Sequence, residues 1–519
     1  MSNLKLVLKE YVTQSKEVLL YTGNPNLEML EGLVDTPGDI WHSSVEQGLK
    51  NCFQDIKYQT AIYWWFLNDF DQDICVNWRI NINAFVVRKQ VWNLLKDSIF
   101  NYENIMLSGL DFGFNLLRYQ GGIPLYVKGL FANEELANLK VSPKDRYYFY
   151  LKNFKKHHSH YMLLRQGVFK FLREFKALKA ATAKLGGIRG GAKLNVSLRD
   201  LEPLNSKPTV SLVIPTMKRQ KFTELLLQDH NEQSYLIKEA VIVDATPEDE
   251  RDSKYYQKQN FKFDIKVKWQ TSKGSCRARN EAVNLCTGDY IIFADDDIRI
   301  LPDFVENHLR FLQTYNADAA NGLDIMATNQ SQDLSDLKLR LEELGETRWK
   351  GGVSQAFSNA NSIVKRSLVE ELIGNDINFD GGYGEDSDFG LRILKSGHVI
   401  MYNPFSPNLH LKPPQGGYRF WGQQSKITGK KRKKQPWELD KPVKFVTPVP
   451  SPTITYGILK HYKKEQIKEW RNKHFFIYLF KKDKKTLPIR LLKLPYKQYQ
   501  FSKSLKYAQR LIALGPRYK

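Results

Sequence analysis

The chain has 519 residues, 42% hydrophobic and 13% aromatic, which is too long for one ordinary core and too apolar for a disordered protein, so two or three folded domains are expected. Four cysteines (Cys52, Cys75, Cys276, Cys286) form no C-x-x-C pair and suggest no disulfide framework, as in a reducing compartment. The net charge of +22 is concentrated late in the chain: Leu411 to Lys519 carries 28 Lys/Arg against 5 Asp/Glu, and the first 410 residues are close to neutral.

The segment from Met1 to Tyr11 has no apolar signal-like core, and no run of about 18 apolar residues occurs. The expectation is a cytoplasmic protein, or one peripheral on the inner face of a membrane, that spans none.

Residues 1–150 alternate strand-like and helix-like runs. Residues 151–206 open with a basic amphipathic helical stretch, Tyr161 to Phe175, and later contain Gly186-Gly-Ile-Arg-Gly-Gly, which reads as a linker. Residues 207–414 begin with Thr209-Val-Ser-Leu-Val-Ile-Pro-Thr, followed by Ala240-Val-Ile-Val-Asp and Tyr290-Ile-Ile-Phe-Ala. Buried β-branched runs separated by helical lengths predict an α/β domain with a mainly parallel sheet, which binds ligands at the strands' carboxyl ends. Thr216, Asp244 and Asp295 to Asp297 stand at those ends.

An internal echo links the first region to the third. Asn81-Ile-Asn-Ala-Phe-Val-Val-Arg and Gly109-Leu-Asp-Phe-Gly-Phe resemble Ser358-Asn-Ala-Asn-Ser-Ile-Val-Lys and Asp386-Ser-Asp-Phe-Gly-Leu at matching spacing. In that register Ser108-Gly109 replaces Glu385-Asp386, so the first region reads as a decayed copy without the acids; a chance likeness of two Asp-Phe-Gly helix starts is the alternative. Asp69-Phe-Asp71 lies just before the echo and is not the counterpart of a later Asp-x-Asp.

Two motifs carry chemistry. Asp295, Asp296 and Asp297 crowd three carboxylates after a buried strand. Such a cluster needs a cation or donors to offset repulsion, and oxygen ligands plus phosphate suit Mg²⁺ or Mn²⁺. An acidic turn capping the next helix is the plainer reading. In Phe379-Asp-Gly-Gly-Tyr-Gly-Glu-Asp-Ser-Asp, glycines permit a tight path before an acidic helix start. Capping accounts for Asp388 but not for Glu385 and Asp386 in the same turn.

The ordered set Ile214-Pro215-Thr216, Val243-Asp244, Gly274-Ser-Cys-Arg-Ala-Arg-Asn, Phe293-Ala-Asp-Asp-Asp, Gly384-Glu-Asp-Ser-Asp-Phe and His410 resembles family 2 glycosyltransferases of GT-A fold over roughly 200 residues. The resemblance implies that Pro215, Thr216, Asp244, Gly274, Arg277, Asp295 and Asp296 bind the donor, with Asp244 on the base. It also implies that Asp295, Asp297 and His410 hold Mn²⁺ or Mg²⁺, and that Asp386 is the catalytic base with Glu385 beside it. The donor would be a UDP- or dTDP-linked sugar and the acceptor a glycan or lipid-linked hydroxyl, with inversion at the anomeric carbon. No Gln-x-x-Arg-Trp follows Asp386, which favours transfer of one or a few sugars over polymerisation. An inactive glycan-binding or scaffold protein on the same fold is the competing reading. A nucleotidyltransferase would need a glycine-rich phosphate loop, and Pro215-Thr-Met-Lys-Arg-Gln has no glycine.

Residues 415–519 are basic and mainly helical in pattern, with Gly429-Lys-Lys-Arg-Lys-Lys and Lys481-Lys-Asp-Lys-Lys among aromatics. Phe501, Leu505, Ala508 and Ile512 are expected on one helix face. Basic and aromatic residues together suit an anionic membrane surface; packing on the catalytic domain is the alternative. No nucleic-acid-binding motif accompanies the charge, so no nucleic acid partner is expected.

Overall fold

The computed structural model describes residues 6–60, 64–68, 71–99, 102–132, 140–185, 196, 198–380, 382–413, 416–418, 446–480 and 483–519. The runs at Gly186 and Gly429, with Asp69, Lys481 and Lys482, lie outside the described residues.

Two mixed sheets follow each other. The first holds β1 (Lys9–Val12), β2 (Val18–Thr22), β3 (Ile40–His42), β4 (Ile74–Val76), β5 (Phe85–Arg88) and β6 (Pro124–Val127), in the order β1-β2-β5-β3-β6-β4. The second holds β7 (Val210–Thr216), β8 (Glu239–Asp244), β9 (Asp264–Trp269), β10 (Tyr290–Ala294), β11 (Ile298–Ile300), β12 (Ala319–Met326), β13 (Asn361–Lys365) and β14 (Ile400–His410), in the order β11-β14-β12-β13-β10-β7-β8-β9. β10, β7, β8 and β9 are parallel, and β13 lies antiparallel between β10 and β12. The expected α/β class holds, with an antiparallel part that the apolar runs do not announce.

β7 and β8 are buried along their whole lengths because helices cover both faces of the parallel part. Pro215 sits in a central strand, where its missing N–H would normally break a ladder. Here the pairing of β7 with β10 ends at Val213 opposite Phe293, so Pro215 lies beyond it, where the two strands part and leave a cleft.

The sheets share one plan. Read from one edge, β4-β6-β3-β5-β2 matches β11-β14-β12-β13-β10 in order and in every parallel or antiparallel sense. The chain reaches β4 and β11 at different points, since β4 follows β3 whereas β11 precedes β12. Residue 150 lies inside the helix Pro143–Asn153, which Lys152 and Asn153 tie to Asp111 in the first sheet's helix Ile105–Tyr119.

The last helices form a layer on the second sheet's side. Pro452–His461 packs on Leu494–Leu514, with Thr455 hydrogen-bonded to Ser504 at 2.7 Å. The buried stripe of Leu494–Leu514 is Phe501, Ser504, Ala508 and Leu511. Leu505 is half-buried and Ile512 is 42% exposed, because a polar Ser504–Thr455 contact turns the stripe away from the purely apolar face expected. This layer grips the loop before the helix Glu385–Lys395: Tyr456 donates to Asp376 at 2.6 Å, Arg517 to Asn378 at 2.8 Å, and the Tyr383 amide to Thr453 at 2.9 Å. The described part of the basic region is thus packed structure. Among the described residues no helix is long and apolar enough to cross a membrane.

Candidate active site

Where β7 and β10 part, a cavity of about 420 Å³ opens at the strands' carboxyl ends. Its lining, among the described residues, brings together Pro215, Asp295, Asp296, Asp297, Glu385, Asp386 and His410. Thr216, Asp244, Gly274 and Arg277 are not among the lining residues.

Thr216, Asp244 and Gly274 support the wall from behind, whereas no side-chain hydrogen bond ties Arg277 to it among the described residues. Thr216 donates to Asp296 at 2.7 Å. Asp244 is fully buried, and its carboxylate accepts from the Thr246 amide at 2.8 Å, the Thr246 hydroxyl at 2.5 Å and Tyr256 at 3.1 Å. Tyr418, in the lining, connects to it through Gln270, whose amide donates to the Asp244 carbonyl. A Cβ on Gly274 would stand 2.1 Å from Asp380, whose carboxylate accepts from the Cys276 amide at 2.7 Å and so caps the helix Ser275–Val283. Only glycine leaves room for that cap.

Arg219 and Arg279 supply the positive charge on this wall. Arg219 donates to Asp296 at 3.0 Å and to Asp297 at 2.9 Å. Arg279, 4% exposed, donates to Asp295 at 2.7 Å, and its Nε and Nη1 find no hydrogen-bond acceptor among the described residues. A buried guanidinium with spare donors beside a cleft is suited to an anionic ligand. In a helix starting at Ser275, position 279 returns to the face of 275 and position 277 points away, so helical spacing inside the quoted motif could have singled out Arg279.

One oxygen each of Asp295 and Asp297 and one nitrogen of His410 lie within 4.8 Å of one another. His410 Nε2 is 3.2 Å from Asp297, while Nδ1 is 3.2 Å from Asp324, which orients the ring. Asp297 and His410 are buried and Asp295 is about one-third exposed, which leaves the cluster open on one side. Two carboxylates and an imidazole fit Mn²⁺ or Mg²⁺.

The charges are strongly coupled. Burial, with Asp297 and Asp295 nearby, pushes Asp296 up to about 7 against Arg219. Burial also opposes the charges of Asp297 and His410, but their mutual hydrogen bond outweighs it. Asp297 is drawn down to about 2 with help from Arg219, and His410 is raised to about 10 with help from Asp324. A dication bound here would have to displace the His410 proton.

The first turn of the helix Glu385–Lys395 also lines the cavity, preceded by Gly384 at φ +113°, a conformation that favours glycine. Asp386 accepts from Asn359 Nδ2 at 2.5 Å. Burial, and then the charge of Asp295, hold its carboxyl up at about 6, although Arg279 and Asn359 favour the ionised form. Glu385 is buried beside it. Two residues on, Asp388 is bound by His461 at 2.8 Å, Lys460 at 2.7 Å and Arg392 at 3.0 Å, so the C-terminal layer fixes the helix that carries Asp386.

The model of the family described as glycosyl transferase family 2 matches residues 211–373. This segment is a family 2 glycosyltransferase domain. Its mixed sheet is the GT-A arrangement expected from the resemblance, and the matched segment stops before Asp386 and His410. Among solved structures, a mannosyltransferase from Pyrobaculum calidifontis with GDP-Man and Mn²⁺ is similar at 18% identity and a TM-score of 0.34, over 60% of this chain and 88% of that one. GalNAc-T7 with UDP, GalNAc and Mn²⁺ is similar at 14% and 0.37, over 60% and 57%. TarS residues 1–349 from S. aureus with UDP-GlcNAc is similar at 15% and 0.35, over 60% and 93%. At scores this low the likeness is too loose to carry chemistry across. No curated protein sequence matches the chain.

Proposed function

We propose that residues 207–414 transfer a sugar, with inversion, from a nucleotide-sugar donor to a hydroxyl of a glycan or lipid-linked acceptor in cell-surface polysaccharide assembly. The supporting observation is one cavity lined both by a three-donor cluster able to hold a metal and by a carboxyl held up at about 6. In this reading residues 1–150 are a degenerate GT-A-like copy without catalytic motifs, 151–206 a helical segment and linker, and 415–519 a basic C-terminal region. The location is cytoplasmic, peripheral to the inner membrane face.

Asp295, Asp297 and His410 would hold Mn²⁺ or Mg²⁺. Bound there, the metal would neutralise the donor's diphosphate and make it a better leaving group. Arg279 binds the same diphosphate through its spare donors. Pro215 lines the nucleoside side of a UDP- or dTDP-linked donor, which Thr216, Asp244 and Gly274 shape from behind. Asp295 meets the ribose or metal-bound water, and Asp296, held by Thr216 and Arg219, stands beside it on the donor side. Asp386, steadied by Asn359 and flanked by Glu385, takes the proton from the acceptor hydroxyl as that oxygen attacks the anomeric carbon from the face opposite the diphosphate. A single displacement inverts the centre, through an oxocarbenium-like transition state.

The test is thermal unfolding of the full chain with a panel of nucleotide sugars, with and without Mn²⁺. One donor class should raise the melting temperature in the presence of metal only, and turnover of that donor should give product of inverted configuration by NMR. Protection by no donor, or a retained configuration, would overturn the assignment.

A further inference from the structure

The helical segment after the first sheet buries Tyr161, Met162 and Leu163 but turns several large apolar side chains outward at one end. Between the helices Lys156–Arg165 and Phe171–Leu185 the chain makes a tight turn, Val168–Lys170. There Val168 is 87% exposed, Phe169 fully, Leu172 75% and Phe175 49%. The helix Phe171–Leu185 buries Glu174, Leu178, Ala181 and Leu185, so its 3.6-residue repeat aims Leu172, Lys176 and Lys179 at solvent.

Charge on this surface has one sign. Glu174 is the sole acid between residues 156 and 185, and it is buried against Arg146. Lys170, Arg173, Lys176 and Lys179 are all exposed.

We infer that this hairpin tip inserts into the interface of an anionic phospholipid bilayer, with Val168, Phe169, Leu172 and Phe175 among the acyl chains and the surrounding lysines on the lipid phosphates. Isolated apolar side chains are common on surfaces, but four adjacent ones on a convex turn are not. A convex tip offers no groove to a protein partner's side chains, whereas a bilayer deforms around it. A nucleic acid would answer the charge and leave Val168 and Leu172 in water. Lysine stems can lie along the apolar boundary while their ammonium groups reach phosphate. The inference shares with the proposed function only the membrane location, and it assigns attachment to residues 164–179 rather than to the basic C-terminal region.

The full chain is sedimented with vesicles of phosphatidylcholine alone or mixed with phosphatidylglycerol, across a salt series. It should pellet with the mixed vesicles only, and less as salt rises. The triple variant V168S/F169S/L172S should lower the partition coefficient by roughly 10-fold or more. Its melting temperature should stay that of the parent, since these side chains cover little of the core. Comparison with L492S/Y496S, on the exposed C-terminal surface, separates the two regions: this second variant should bind as the parent does. Unchanged binding by the triple variant, binding to neither vesicle, or self-association of the parent that the triple variant abolishes would each overturn the inference, the last in favour of a second copy of the chain.

Discussion

The two sheets preserve one framework and differ where a donor would bind. With β5 laid on β13, Thr22 in β2 falls where Phe293 stands in β10, so Asn24, Pro25 and Asn26 take the places of Asp295, Asp296 and Asp297. The same register puts Ile82 at Asn359 and Gly109 at Asp386. In the second sheet Asn359 and Asp386 make a polar pair at the cavity. In the first, a Cβ on Gly109 would stand 2.6 Å from the Ile80 carbonyl and 2.9 Å from the Ile82 amide, so the corresponding gap is closed.

What persists is the Asp-Phe-Gly, and its reason is packing. Gly113 and Gly390 let their helices press on backbone, with the Trp78 carbonyl 2.0 Å and the Gln355 carbonyl 2.7 Å from a built Cβ. Asp111 and Asp388 are buried and each is bound by a lysine from a later helix, Lys152 or Lys460. Substitution should therefore separate chemistry from architecture: Asp386 belongs to one sheet alone, whereas Asp111 and Asp388 do the same work in both.

The largest effect is expected at Asp386. Asp386→Asn keeps the shape but cannot take a proton, so kcat should fall about 10³-fold with donor protection in thermal unfolding unchanged. In the parent the base must be ionised, and its carboxyl is held at about 6, so kcat/KM should drop as pH falls through that value. A loss of donor affinity with full turnover at saturation would remove Asp386 from this role.

Metal removal comes next. Chelation should abolish turnover, and Asp297→Ala should weaken donor binding roughly 100-fold or more and remove the metal-dependent part of donor protection. Full activity in chelator would leave the acidic cluster without its proposed purpose.

How much of this was legible follows from what each residue touches. β7, β8 and β10 stand out because both faces are buried, giving unbroken β-branched runs. β9 does not, since Asp264–Trp269 is a half-exposed edge strand with lysines in it. The acids Asp295 to Asp297, Glu385 and Asp386 are readable as carboxylates at element ends. Arg219, Asn359 and Asp324 are not, because each acquires its role only when distant segments meet. Asp324 reaches His410 across paired strands, with nothing local to mark it. The basic composition of the C-terminal region is plain, but Lys460 and His461 spend theirs on Asp388 inside the protein, which no charge count discloses.

Stability tests the shared architecture. Asp388→Asn leaves Lys460 and Arg392 facing a neutral amide, and Asp111→Asn does the same to Lys152; each should cost about 3–5 kcal/mol, the usual range for breaking a buried pair. Although burial opposes its ionisation, His461, Arg392 and Lys460 hold the Asp388 carboxyl well below the ordinary carboxylate range. A depressed folded pKa means that its contribution is present above the unfolded value of about 4 and is lost as pH falls below it. The stability gap between the parent and Asp388→Asn in denaturant unfolding should therefore be full and constant above about pH 4 and shrink as pH falls below it. Curves separated equally at all pH values would remove the ionic account. A dead but normally melting Asp111→Asn would require a second active site.

The smallest effect is expected from returning carboxylates to the first sheet. Asn26 caps the helix Leu27–Leu33, its side chain accepting from the Glu28 amide at 3.1 Å, and Asn24 is exposed. Aspartate caps as well as asparagine, so Asn24→Asp with Asn26→Asp should change stability by no more than about 0.5 kcal/mol. Placed in a chain already carrying Asp297→Ala and Asp386→Asn, the pair should restore no metal-dependent protection by a nucleotide sugar. Acids alone do not rebuild a site that has closed around Gly109. Protection regained in that background would mean that the first sheet kept its pocket and lost only its charges, and its divergence would then be shallower than the packing of Ile80 and Ile82 implies.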